Sequence, residues 1–94
     1  MINVTPQTGP DELLAVLDAR ILDAVEDTLS NDEDSTDAEV GQYLMDLGLS
    51  EMQAKRALCY RTLYSLNLWV GDCTPIRSST RLRYDGESGQ FVIA

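Results

Sequence analysis

The chain contains no histidine. It therefore lacks the side chain that most often carries a proton in catalysis near neutral pH. It has only two cysteines, Cys59 and Cys73, in no Cys-x-x-Cys pair, and with no histidine to join them they build no zinc site. They are expected to be ordinary thiols of a reducing cytosol, and Cys59 has no imidazole to activate it. No glycine-rich phosphate loop occurs. These gaps argue against an enzyme, a cofactor and a metal. Lysine is almost missing, with Lys55 the single example. No stretch approaches the roughly 20 apolar residues of a membrane span. The start, "MINVTPQTGPDE", lacks the basic residues and apolar run of a secretory leader. The expectation is a cytoplasmic protein, of the producing or an infected cell, with no membrane partner.

What is present is a chain of 94 residues, 44% hydrophobic, long enough for one small domain. An irregular lead is expected over residues 1–9 and a single domain over 10–94. A core this small leaves a modest stability margin, which suits a homodimer or a partner complex. Charge is divided along the chain. Residues 1–51 hold thirteen acids and one base, Arg20, a net of −12; residues 52–94 hold six bases and three acids, a net of +3. The total is −9, and six of the seven bases are arginine. That bias resembles proteins of salt-loving archaea and their viruses, and a small phage protein can carry it too.

Pro10, Asp11 and Glu12 suit the first turn of a helix, and apolar residues from Leu13 to Leu29 recur at helical spacing. A first helix is expected over residues 10–29. "SNDEDSTD", residues 30–37, reads as a solvated connector, without the glycine and glutamate spacing of a calcium loop. Thr36 and Glu39 fit a capping box that opens a short second helix, which Gly48 ends. Ser50 and Gln53 fit another box. It opens a third helix whose apolar positions run through Ala54, Ala57, Leu58 and Leu63 to Leu66. "LNLWV" then suggests a stop and a short strand, and residues 71–80, "GDCTPIRSST", a loop. "RLRY" and "QFVI" flank "DGESG" as a hairpin, with Leu82 and Tyr84 alternating with Arg81 and Arg83. Tyr43, Tyr60, Tyr64, Trp69, Tyr84 and Phe91 are expected to close the core and its rim. Tyr60 and Tyr64 share a helix face, either a dimer seam or the seat of the first helix.

Three helices followed by a hairpin resemble a winged helix-turn-helix domain, an α+β, mostly α fold with a C-terminal β-hairpin wing. The most specific stretch is "AEVGQYLMDLGLSEMQAKRAL", in which Gly48 takes the place of the turn glycine between Leu47 and Leu49. Asn67 in "LNLWV" stands where the family's exit into the sheet has glycine. The chain departs from the family at Leu44, where a small residue is usual, and in a third helix about one turn longer.

The resemblance implies a small transcriptional regulator whose third helix enters the major groove of double-stranded DNA while the wing touches the backbone or minor groove. On this sequence the matching positions are Gln53, Lys55, Arg56 and Arg61 on the third helix, with Arg77, Arg81 and Arg83 beyond it. Arginine and lysine neutralise phosphates, and arginine and glutamine read base edges. The acidic half keeps a second class open. An acidic phage or mobile-element protein can bind and inhibit a basic host nucleic-acid-binding machine, such as a restriction or CRISPR effector. Asp32, Glu33, Asp34 and Asp37 would then stand in for phosphates.

Overall fold

A computed structural model describes residues 11–66, 74–77 and 82–93. Residues 1–10, 67–73, 78–81 and 94 lie outside the described residues, and with them the expected lead, the "LNLWV" strand, Trp69, Cys73 and Arg81. The described fold is mostly helical with a small C-terminal antiparallel hairpin. It comprises α1 (Ala19–Asn31), α2 (Asp37–Asp46), α3 (Glu51–Leu58), α4 (Arg61–Ser65), β1 (Leu82–Asp85) and β2 (Gln90–Ile93). No helix among the described residues is long and apolar enough to cross a membrane.

The first helix begins later than its periodicity predicts. The Asp11 carboxylate accepts from the N–H groups of Leu13 and Leu14, at 2.9 and 3.1 Å, and closes a short turn over residues 12–16. Asp18 then caps a new helix by accepting from Arg20 N–H at 2.9 Å. The apolar spacing runs through both pieces because both lay Leu14, Leu22, Val25 and Leu29 on one core. Periodicity reports which face is buried, and it is blind to a cap that restarts the backbone.

Both expected capping boxes form. Thr36 Oγ1 accepts from Glu39 N–H while Glu39 accepts from Thr36 N–H, and Ser50 and Gln53 repeat the exchange. Gly48 ends the α2 turn at φ +117°, where a β-carbon would be strained. Leu49 follows it into the core. Gly41 is buried where α2 meets α3: a β-carbon there would stand 3.4 Å from Leu58 Cδ1, in ordinary van der Waals contact.

The expected long third helix is broken. In an unbroken helix the Leu58 carbonyl would accept from Thr62 N–H. Here the carboxamide of Gln90 stands between them, donating to Leu58 O at 3.0 Å and accepting from Thr62 N–H at 2.9 Å. Phe91 N–H donates to the next carbonyl, Cys59 O, at 2.6 Å. A side chain inserted into the ladder breaks a helix without leaving its polar groups unpaired. The chain turns at Cys59 and Tyr60, and α4 leaves Leu66 exposed rather than in the core. Tyr60 and Tyr64 are both buried: Tyr64 meets Glu26 of α1, whereas Tyr60 meets Asp11 and Phe91 of the hairpin.

The hairpin register pairs Leu82 with Ile93, Arg83 with Val92, Tyr84 with Phe91 and Asp85 with Gln90. Leu82 and Phe91 face the core, and Arg83 faces out. Replacing Gln90 with alanine strands the Leu58 carbonyl and the Thr62 N–H, both in partly buried surroundings. Urea denaturation of Gln90→Ala is expected to show a loss of about 1–3 kcal/mol. Gln90→Glu retains an acceptor for Thr62 but no donor for Leu58, and is expected to recover only part of it.

Candidate functional site: an acidic surface over an internal arginine network

The bases that a nucleic-acid surface would need are distributed as follows. Arg56, on α3, turns inward: its Nε lies 2.7 Å from Asp11 Oδ2, and its guanidinium carbon sits 4.7 Å from the centre of the Phe91 ring. Asp11 is completely buried, and its second oxygen also accepts a short hydrogen bond from the Tyr60 hydroxyl. Burial works against the charge of Arg56, yet the Asp11 carboxylate beside it holds its pKa above the ordinary guanidinium value. Gln53 uses both ends of its amide, accepting from Ser50 N–H and donating to Leu13 O at 3.1 Å. Glutamine at this position therefore ties α3 to the turn before α1.

Arg61 opens α4 and reaches back into the connector between α1 and α2. It donates to Asp32 O at 3.0 Å, to Ser35 O at 2.6 Å and to Asp37 Oδ1 at 2.7 Å. Only 14% of its side chain is exposed. The connector is thus fastened from below. Arg77 pairs with two carboxylates of α1, Asp23 at 2.6 Å and Glu26 at 2.7 Å. Glu26 also accepts from the hydroxyls of Tyr64, at 2.6 Å, and Thr74. Burial, helped by that carboxylate, pushes the Tyr64 phenol far above its ordinary pKa. Lys55 is exposed, with its ammonium 3.1 Å from Glu51 one turn away. Arg83 is exposed on β1, and Arg81 lies outside the described residues.

The acids of the connector separate into two kinds. Asp37 meets Arg61, and Asp32 Oδ1 accepts from Ser35 N–H at 3.0 Å. Hydrogen bonds from the Ser35 backbone and side chain hold the Asp32 carboxyl below its ordinary value of 3.8. Glu33 and Asp34 point to solvent. With Asp27, Asn31 and Tyr43 they line an open depression of about 390 Å³. Among the described residues eleven carboxylates are exposed against four cations, and two of those four, Lys55 and Arg77, already face a carboxylate. The outward field is therefore strongly negative.

No family model, curated protein or solved structure matches this chain.

The Cys59 thiol is half-buried, donates to Lys55 O at 3.4 Å, and is pushed up in pKa by burial. A thiol held protonated is a poor nucleophile. No group of three or more metal-ligating side chains gathers among the described residues. The roles that the residue pattern alone misses belong to Asp11, Gln90 and Arg61. For Asp11 a signal exists, since a carboxylate two and three residues before leucine N–H groups is a cap pattern as well as a first-turn acid. For the other two, the partners lie more than twenty residues away in sequence.

Removing one partner of the Asp11–Arg56 pair leaves the other's charge with less to meet it. Arg56→Met leaves a fully buried carboxylate with its neutral donors but no cation, and is expected to cost about 3–5 kcal/mol in urea denaturation. Asp11→Asn is expected to cost less, about 2–3 kcal/mol, because Arg56 retains a path to water. The coupling in the double variant separates the pair from its two parts. A carboxyl NMR titration of Ser35→Ala is expected to move Asp32 back towards 3.8 while leaving it lowered, since the Ser35 backbone still donates. A lowered carboxyl adds stability above its unfolded pKa and loses it as the pH falls through the folded value. In Ser35→Ala that contribution shrinks and disappears at a higher pH than in the parent chain.

Proposed function

We propose that this chain is a non-enzymatic binding module that docks on a basic protein surface through its acidic exterior. Its scaffold is read as a winged helix-turn-helix, with α2, the Gly48 turn and α3 as the central unit and the hairpin as the wing. The observation that carries the reading is where the arginines go. Arg56 and Arg61 point into the fold and Arg77 lies against α1 carboxylates, while Glu33 and Asp34 face solvent. Of the described positions that a DNA-facing surface would use, Lys55 and Arg83 remain directed outward, and Lys55 shares its charge with Glu51. Phosphate contacts dominate protein–DNA affinity, and a field of this sign opposes them. A basic host protein that itself grips nucleic acid is the matching class of partner.

The DNA-binding regulator is the second reading. It is favoured by the outward Lys55 on α3 and the outward Arg83 on β1, each at a position where the fold family meets a duplex.

Two measurements decide between them. Fluorescence anisotropy with mixed-sequence and gene-proximal duplexes is expected to show no binding at low salt. Tight binding whose salt slope drops by about one in Lys55→Ala would establish the regulator instead. Affinity capture from producing or infected cells is expected to recover a basic protein, and Glu33→Gln with Asp34→Asn to release it. Capture indifferent to those charges counts against docking through the connector.

A further inference from the structure

We propose that the shallow apolar groove between α2 and α3 is a docking site for a cationic amphipathic helix of a partner protein. The inference rests on the protein-docking reading above and assigns its partner a secondary structure and a seat. Ala38, Gly41 and Met45 recur along one face of α2, and Ala54 and Leu58 along one face of α3. Together they floor an open groove of about 320 Å³. Met45 is 36% exposed and Leu58 half-buried, and α2 and α3 touch each other at the bottom through Gly41. No described element covers this floor.

The shape selects a helix. Both walls are α-helices whose backbone groups are bonded within the walls, so an extended peptide would find no ladder to join. A helix satisfies its own backbone and needs only apolar anchors at successive turns. The small residues Ala38, Gly41 and Ala54 leave room for such anchors. The charge selects a cationic one. Asp37 and Glu51 stand on the rim, where Asp37 also pairs with Arg61 at 2.7 Å. Among the described residues that line the groove Lys55 is the one cation, and its ammonium faces Glu51. A second copy of a chain of net charge −9 would set acid against acid, as would a duplex. The Asp37 and Glu51 side chains stay 67% and 73% exposed beside Arg61 and Lys55, so lysines or arginines flanking an apolar stripe can meet both.

The test uses the full chain labelled with nitrogen-15 and a leucine–lysine amphipathic peptide of about 18 residues, roughly five helical turns. Amide shifts are expected at Ala38, Gly41, Gln42, Met45, Ala54 and Leu58. Ala38→Arg and Met45→Arg, both at exposed positions, are each expected to weaken binding at least about tenfold with thermal melting unchanged. Glu51→Gln is expected to weaken it a few-fold and to flatten its salt dependence. Equal binding by the same residues in shuffled order, which lack the apolar stripe, overturns the proposal. So does the absence of binding at about 1 mM peptide. Shifts confined to Glu33 and Asp34 overturn the groove yet leave acidic docking standing. Concentration-dependent groove shifts without peptide identify a second copy as the occupant and overturn it. The same shifts produced by a DNA duplex, and lost in Lys55→Ala, overturn both the groove and the docking reading.

Discussion

A single buried carboxylate holds the described parts of this protein together. Asp11 caps the turn before α1 with one oxygen and meets Arg56 of α3 and Tyr60 with the other. Its own N–H donates to Ile76 O at 2.8 Å, which ties in the segment before the hairpin. Phe91 of β2 then lies against both partners, over the Arg56 guanidinium and 4.6 Å from the centre of the Tyr60 ring. A carboxylate with no exposure is tolerated only because donors meet it on both oxygens. The position of α3 relative to the chain's beginning and to the hairpin follows from that requirement.

This constraint shapes the surface as much as the interior. Holding Asp11 turns Arg56 inward and leaves its side chain about one-third exposed. Fastening the α1–α2 connector withdraws Arg61, and bracing α1 against residues 74–77 engages Arg77. Three of the six described bases, Arg56, Arg61 and Arg77, are engaged by acids of the first half of the chain. Among the described residues, eleven carboxylates are left exposed against four cations. The uneven division of charge along the sequence therefore does not become a basic face and an acidic face in space. Bases from the second half fold back onto acids from the first, as Arg56 does to Asp11, Arg61 to Asp37 and Arg77 to Asp23.

The helix boundaries that sequence reading places well are those written in adjacent residues. Thr36 with Glu39, Ser50 with Gln53, the Gly48 turn and the "DGESG" hairpin turn all form as their local chemistry dictates. The boundaries it misplaces depend on distant partners. The break after Leu58 exists because Gln90 arrives from the hairpin and replaces one backbone bond. The late start of α1 combines the local Asp11 and Asp18 caps with the distant contacts of Asp11 to Arg56 and Tyr60. Among the candidate site residues, the sequence identifies the charged side chains but not their direction. Arg56 and Lys55 are neighbours on one helix, and one is committed inward while the other faces solvent.

By itself, then, the sequence determined composition-level and short-range properties. These are the mostly helical make-up with a terminal hairpin, the two capped helix starts, the excess of acid, and the lack of histidine. Each depends on residue identity or on contacts within a turn of chain, where geometry is nearly the same in any fold. Only the tertiary structure decided which arginines remain available, where the third helix breaks, and that α2 and α3 leave an apolar groove between acidic rims. Those outcomes depend on pairing across twenty to fifty residues, as from Asp11 to Arg56 or Leu58 to Gln90. Local propensity carries no information about them, because the burial that makes such pairs obligatory exists only once the chain has closed on itself.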